Sequence, residues 1–265
     1  MLLEAHPNSL VKKHLKTHSY FINYNQQVVE LTLIFIISFL AAIISGAAGF
    51  GGALVLLPVL TSVVGVKAAV PILTIASIFG NASRVWFGRK ELQWKPIFYF
   101  LMAAIPLSIV GSYLFTDIDS KKIKLGIGIF LLLIVAYRRL NINKISLGNK
   151  GMLLGGGVTG FLSGLVGSAG VIGAAFFLGL NLTATAYIAS EAFTALTMHL
   201  TKTIVYSKYS LIGLTELYYG LFIGVAMILG SWTGKKITER LPKHIFLIIV
   251  EILLIVSGIQ MIASK

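Results

Sequence analysis

Two short glycine-rich stretches, GAAGFGG at residues 46–52 and GLVGSAG at residues 164–170, decide how this chain folds. They interrupt long runs without Asp, Glu, Lys or Arg, one from Leu31 to Val66 and the other from Gly151 to Ser190. Both runs exceed the roughly 18 to 20 apolar residues that mark a membrane span. The 265 residues are 57% hydrophobic and 12% charged, against about 25% charged in soluble domains. The composition excludes a soluble globule and predicts an all-α, polytopic membrane protein.

The first glycine cluster lies where the chain has to reverse. Residues 31–64 would form a helix of roughly 51 Å, whereas the hydrocarbon core of a bilayer is about 30 Å thick. Glycine permits the backbone conformations that a reversal needs. The pattern predicts either two spans or a re-entrant hairpin of two half-helices.

The second half of the chain repeats the pattern of the first. Apolar segments occur five times before and five times after the polar loop at residues 138–150. An offset of 118 residues places Gly46, Gly49 and Gly52 on Gly164, Gly167 and Gly170. Four further positions match: Asn81 falls on His199, Arg84 on Lys202 and, at an offset of 119, Gly111-Ser112 on Gly230-Ser231. We predict an internal repeat of residues 31–145 and 149–265.

The number of crossings decides how the two halves are related. If each half crosses the membrane an odd number of times, the second is inverted relative to the first. We predict two inverted repeats of about five helical segments each, with glycine-broken half-helices or hairpins that meet near the bilayer midplane. The distribution of Lys and Arg favours a parallel repeat instead, so the orientation stays open. Residues 1–30 are predicted to be a retained, amphipathic segment on the bilayer surface.

The two glycine clusters predict an anion-binding cavity. Non-helical backbone persists at membrane depth only where protein or a watery cavity satisfies its hydrogen bonds. If each cluster leads into a half-helix, N–H groups and two positive helix-dipole ends converge. The predicted contributors are Gly49, Phe50, Gly51 and Gly52, and in the second half Gly167, Ser168, Ala169 and Gly170. Close helix packing, which the spacing of Gly156, Gly160 and Gly164 indicates, is the alternative for any single glycine.

Polar residues at equivalent positions extend the predicted site. Ser77, Asn81 and Arg84 share one helical face. His199 and Lys202 share the corresponding face in the second half. We interpret these residues as donors and cations that face an anionic substrate from two sides. The alternative is that the long side chains of Arg84 and Lys202 reach the headgroups.

Three residues are candidates for proton coupling. His199 has a side chain that titrates near neutrality. Glu191 precedes His199 on nearly the same helical face, and Glu251 lies about two turns into the last apolar segment. A hydrogen-bonded packing histidine and a buried neutral acid are the alternatives.

Several features narrow the chemistry. The chain has no cysteine, which excludes disulfides, iron–sulfur ligation and thiol nucleophiles. Its net charge of +13 is concentrated at the ends of apolar runs, where it meets headgroups, so no nucleic-acid partner is expected. His14 and His18 lack a third ligand, and the sequence contains neither GxSxG nor HExxH. We therefore expect no metal site, no cofactor and no enzymatic activity.

Two stretches, GFGGALVLLP at residues 49–58 and VKAAV at residues 66–70, resemble the sulfite exporter TauE/SafE family. The second glycine cluster and the two-half organisation are also similar to that family, over nearly the whole chain after residue 30. The resemblance implies a transporter of small sulfur-containing anions in the inner membrane of a prokaryote. The second half departs from the pattern, with Phe176 at the position that matches Pro58 and Ser168-Ala169 in place of Phe50-Gly51.

The predicted function is secondary transport of sulfite, thiosulfate or an organosulfonate such as sulfoacetate across the cytoplasmic membrane by alternating access, with proton coupling left open. The alternative is a channel or a membrane permease subunit for another small anion or a metal ion. The predicted partners are the small anion and the lipid bilayer, and a homodimer is left open.

Overall fold

The computed structural model describes residues 28–47, 49–139, 148–180 and 182–237, together with 252, 255–256, 258–259 and 262–263. All regular secondary structure in these residues is helical, which confirms the predicted all-α class. Four of the described helices are long and apolar enough to cross a membrane: Val28–Ala47, Val66–Glu91, Trp94–Asp117 and Leu214–Lys236. The predicted surface segment falls mostly on residues 1–27, and these residues and Glu251 lie outside the described ones.

The helices follow the predicted apolar segments in order. The first half contains α1 (Val28–Ala47), α2 (Gly52–Val64), α3 (Val66–Gly88), a 3-10 turn (Arg89–Glu91), α4 (Trp94–Asp117) and α5 (Ser120–Arg139). The second half contains α6 (Gly148–Val166), α7 (Gly170–Leu178), α8 (Ala184–Lys208) and α9 (Leu214–Ile237). The described residues between 252 and 263 are also helical, and Gly258 packs against Leu132 of α5.

A short helix follows each glycine cluster. Helix α2 has 13 residues and α7 has 9. At the rise of an α-helix these lengths are about 20 Å and about 14 Å, shorter than the hydrocarbon core of about 30 Å. Neither helix can cross the bilayer alone, which favours the hairpin of broken helices over two full spans.

Glycine makes the reversal between α1 and α2 possible. Gly49 and Gly51 have φ angles of 82° and 97°, in the left-handed region that side chains with a Cβ rarely adopt. A Cβ on Gly52 would collide with the carbonyl oxygen of Ala41, so the start of α2 lies directly on α1. Gly167, with a φ of 88°, occupies the equivalent place between α6 and α7. The prediction that both glycine clusters break the helix is confirmed.

Glycines also let helices of different halves approach closely. A Cβ on Gly156 or Gly160 of α6 would collide with the backbone of α4, at Phe100 and Ala104 respectively. On the other side of the molecule, Gly230 of α9 meets the backbone of α1 in the same way. The predicted close packing is therefore confirmed. The first helix of each half packs against the fourth helix of the other half.

Candidate functional site

One buried polar cavity lies where the two helix breaks meet α3 and α8. Its volume is about 30 Å³, against the roughly 10 to 15 Å³ that one water molecule requires. The cavity is lined by Ser45, Gly49, Phe50, Gly51, Ala53, Ser77, Asn81, Arg84, Ser163, Ser168, Gly170, Glu191, Ala195, Met198, His199 and Met227. Both halves of the chain contribute to it.

Arg84 is held on one wall of the cavity by three acceptors. The Nη1 atom donates to the carbonyl oxygen of Gly49 at 2.5 Å and to that of Ser45 at 3.5 Å. The Nη2 atom donates to Oδ1 of Asn81. Asn81 is itself oriented, because its Nδ2 donates to the carbonyl oxygen of Ser77 at 2.7 Å. The side chain of Arg84 is 8% exposed, so its charge is buried within the protein.

Lys202 makes the corresponding contacts in the second half. Its Nζ donates to the carbonyl oxygens of Gly167 at 2.8 Å and of Ser163 at 3.3 Å, and to Ser163 Oγ at 3.0 Å. The side chain is 0% exposed. These acceptors match those of Arg84 at the offset of 118 residues. Each cation thus binds carbonyl oxygens at the end of the first helix of its half, where the helix leaves its own carbonyls unpaired.

The start of α2 and the start of α7 both face the cavity. Neither helix has a side chain that caps its N-terminus. Gly51 and Gly170, at these two starts, line the cavity. The first N–H groups of a helix carry a partial positive charge and bind anions.

Glu191 adds a negative charge to the same cavity. Its Oε2 lies 3.6 Å from Nη1 of Arg84, and the carboxyl group is nearly completely buried. A Cβ on Gly170 would lie 3.4 Å from Glu191 Oε1, so the carboxyl group also lies at the start of α7. The sequence placed Glu191 on the face of His199 without indicating its contact with Arg84.

Four buried side-chain atoms at the cavity have no hydrogen-bond partner among the described residues. They are Ser77 Oγ, Arg84 Nε, Glu191 Oε2 and His199 Nδ1. Buried polar atoms are nearly always hydrogen-bonded in native proteins. A small polar ligand or water molecules in the cavity would supply the partners, so these atoms indicate a binding site.

The structure brings most of the predicted site residues together. Ten of them line the cavity: Gly49, Phe50, Gly51, Ser77, Asn81, Arg84, Ser168, Gly170, Glu191 and His199. Gly52, Gly167, Ala169 and Lys202 are not among the lining residues, although each is adjacent to one or contacts one. Glu251 lies outside the described residues. Whether these residues bind substrate stays a prediction.

Six lining residues were not predicted from the sequence: Ser45, Ala53, Ser163, Ala195, Met198 and Met227. Ser45 and Ser163 could have been predicted. They occupy equivalent positions in the two repeats, at the offset of 118 residues, and each directly precedes a glycine cluster. The two methionines could not have been predicted, because nothing in the sequence distinguishes an apolar residue that lines a cavity from one that packs against another helix.

These observations define a class of protein, a multi-pass membrane protein with a polar site between broken helices. Comparison with known proteins adds that the class is a membrane transporter. The family model described as Sulfite exporter TauE/SafE matches residues 34–261. The chain belongs to the TauE/SafE family, as the sequence resemblance indicated.

A relative from Methanocaldococcus jannaschii is described as a probable membrane transporter protein. It is 28% identical over 252 residues, and the match covers 84% of this chain and 92% of the relative. No solved structure gives a significant match to the chain.

Proposed function

We propose that this protein is a secondary transporter that moves a small sulfur-containing oxyanion across the cytoplasmic membrane by alternating access around the cavity. One observation carries the proposal: the guanidinium of Arg84 and the starts of α2 and α7 face the same buried space. The guanidinium and the two helix N-termini are all positively charged, wholly or in part. In a space with little water they attract an anion and repel a metal cation. The membership in the TauE/SafE family supports sulfur-containing anions as the substrate class.

The size of the cavity favours the smallest of the candidate substrates. A volume of about 30 Å³ has room for one or two water-sized groups. Sulfite, with one sulfur and three oxygens, is closer to this size than sulfoacetate. Sulfoacetate and larger organosulfonates require a more open conformation.

We further propose that the two halves are inverted repeats, an arrangement found in many transporters that work by alternating access. The packing of the equivalent helices α3 and α8 supports an inverted relation. Gly88, at the end of α3, lies against Thr185 and Ala189 near the start of α8. Ser77, earlier in α3, lines the cavity together with His199, further along α8. The two helices therefore run in opposite directions.

Proton coupling belongs to the same proposal. Glu191 and His199 both line the cavity, so a proton on either side chain would be next to the bound anion. Transport that couples a proton to the anion needs such an adjacent, titratable group.

The test is uptake into proteoliposomes by purified protein. We expect saturable uptake of labelled sulfite, and a loss of about tenfold to a hundredfold in Arg84→Gln, because a hydrogen bond to a charged group contributes about 1.5–3 kcal/mol. Arg89→Gln is the matched control. Arg89 is exposed and lies over the ring of Trp86, away from the cavity, so its variant should transport like the wild type.

Other ions separate this proposal from the channel alternative. A transporter of the proposed kind leaves chloride, lactate and nickel flux near the level of empty liposomes. Flux that does not saturate with sulfite concentration, or sulfite uptake that is the same in Arg84→Gln and wild type, would contradict the proposal.

A further inference from the structure

Glu191 occupies the part of the cavity that would otherwise hold a second negative charge of a ligand. Its carboxyl group lies between the two features best suited to bind an anion, Nη1 of Arg84 and the start of α7 at Gly170. Its Oε2 is 3.6 Å from Arg84, beyond hydrogen-bond distance, and bonds to none of the described residues. Oε2 can therefore gain or lose a proton without breaking a hydrogen bond to a described residue.

The cavity holds few charges. Arg84 and two helix starts together supply about two positive charges, at roughly half a charge for each helix. Lys202 is a second buried cation, but its three hydrogen bonds direct Nζ to Ser163 and Gly167 and it is not a lining residue, so its charge acts on a ligand only from behind the cavity wall. An ionised Glu191 cancels about one of the two positive charges, and a protonated Glu191 cancels none.

The other titratable groups near Glu191 are few. Tyr187, which packs against Gly49, and His199 are on α8 itself, and Arg84 is on α3. The lining residues from α1, α2, α6, α7 and α9 carry no titratable side chain. A charge change in the cavity thus rests on Glu191 or His199, and the carboxyl group of Glu191 lies 3.6 Å from Nη1 of Arg84.

We propose that Glu191 sets the charge of the bound species: the site takes a monoanion alone, and takes a dianion only together with one proton held on Glu191. The inference rests on the proposed function, and deepens it by fixing the net charge that enters with each substrate. The reason is that an unneutralised charge is costly in a buried cavity, where water does not screen it. The proton binds the carboxylate of Glu191, and Arg84 and the start of α7 then become available to the second charge of the ligand.

Two probes that do not titrate near neutrality test the proposal. Methanesulfonate is a monoanion and thiosulfate is a dianion over the range used, about pH 6 to 9. Binding to the purified wild-type protein is measured by calorimetry in two buffers of different ionisation enthalpy, which counts the protons taken up. We expect about one proton taken up with thiosulfate and none with methanesulfonate. Where Glu191 is ionised before binding, the Kd for thiosulfate should rise by up to about tenfold per pH unit, and the Kd for methanesulfonate should stay constant.

Three variants test whether Glu191 is the residue that takes up the proton. Glu191→Gln is close in shape and should bind thiosulfate without proton uptake and without the pH dependence. His199→Asn, with the side chain that the first half has at this position, should keep the proton uptake of wild type. Glu216→Gln is the control, because Glu216 is at the start of α9 and accepts a hydrogen bond from the exposed Gly213 N–H, and it should behave like wild type.

The possible failures are distinct. Thiosulfate binding to wild type without proton uptake at any pH from about 6 to 9, and with a Kd that does not depend on pH, overturns the role of Glu191 and leaves the transport proposal standing. Proton uptake that persists in Glu191→Gln, or that disappears in His199→Asn alone, also overturns it. If the wild-type protein binds neither probe nor sulfite, both proposals fail. The wild-type measurements decide the question even if a variant does not fold.

Discussion

Arg84 and Lys202 have the same structural task, although only one of them faces the cavity. Each holds carbonyl oxygens at the end of the first helix of its half. The sequence offset predicted that the two cations are equivalent, but it could not predict their acceptors. Those acceptors lie 39 and 35 residues earlier in the chain, and they come within reach only because the glycine loops bring them there.

The contacts of Lys202 predict the result of its removal. In Lys202→Met, the buried acceptors on Ser163 and Gly167 lose their donor, which should cost about 1–3 kcal/mol in the free energy of unfolding. The measurement is denaturant unfolding in one detergent. Lys208→Met, at the exposed end of the same helix, should change the free energy of unfolding by no more than about 0.5 kcal/mol. Equal stability of the two variants would show that the lysine contacts contribute nothing.

At the scale of the helices, the positions of the glycines in the sequence predicted where the chain breaks. The breaks after α1 and α6 fall at the two clusters because glycine reaches φ angles that other residues avoid. Hydropathy located the remaining helices, because every segment in lipid must satisfy its own backbone. Neither the glycine positions nor the hydropathy predicts which helices pack together. The contact of α4 with α6 depends on tertiary geometry that periodicity does not encode.

The surroundings of two glycines, Gly160 in the contact of α6 with α4 and Gly126 on α5, predict opposite effects of substitution by alanine. In Gly160→Ala, the added Cβ collides with the backbone of Ala104, and overpacking should cost about 1–3 kcal/mol. In Gly126→Ala, the Cβ on α5 meets no atom of the described residues within 4 Å, and the gain in helix propensity should stabilise the protein by about 0.5–1 kcal/mol. Unfolding midpoints of the two variants, measured in the same detergent, check both signs. A neutral Gly160→Ala would mean that the two helices are free to separate.

At the scale of the whole molecule, the repeat organises both the helices and the site. The sequence offset predicted the repeat, and the matched contacts of Arg84 and Lys202 follow the same offset. The sequence did not decide whether the repeat is inverted or parallel. The lengths of the apolar segments favoured an inverted repeat and the distribution of Lys and Arg favoured a parallel one, because the sequence does not fix the number of membrane crossings in each half. The opposite directions of α3 and α8 support the inverted arrangement.

The inverted arrangement predicts the sides of the membrane on which two loops lie. Because the chain has no native cysteine, single cysteines can be introduced without background labelling. Lys90→Cys, after α3, and Ser210→Cys, after α8, are both exposed positions. We expect a membrane-impermeant thiol reagent to label them from opposite sides of sealed vesicles. Labelling of both from one side would establish a parallel repeat and contradict the proposed architecture.

The backbone contacts of α1 with α9 and of α4 with α6 have a mechanical consequence. Glycine brings the backbones of the two helices in each couple into direct contact, so we expect the two helices of a couple to move together. Each couple combines one helix from either half of the sequence. A rearrangement that exposes the cavity to one side and then to the other must therefore displace these mixed couples, and the two sequence repeats cannot swing as independent bodies.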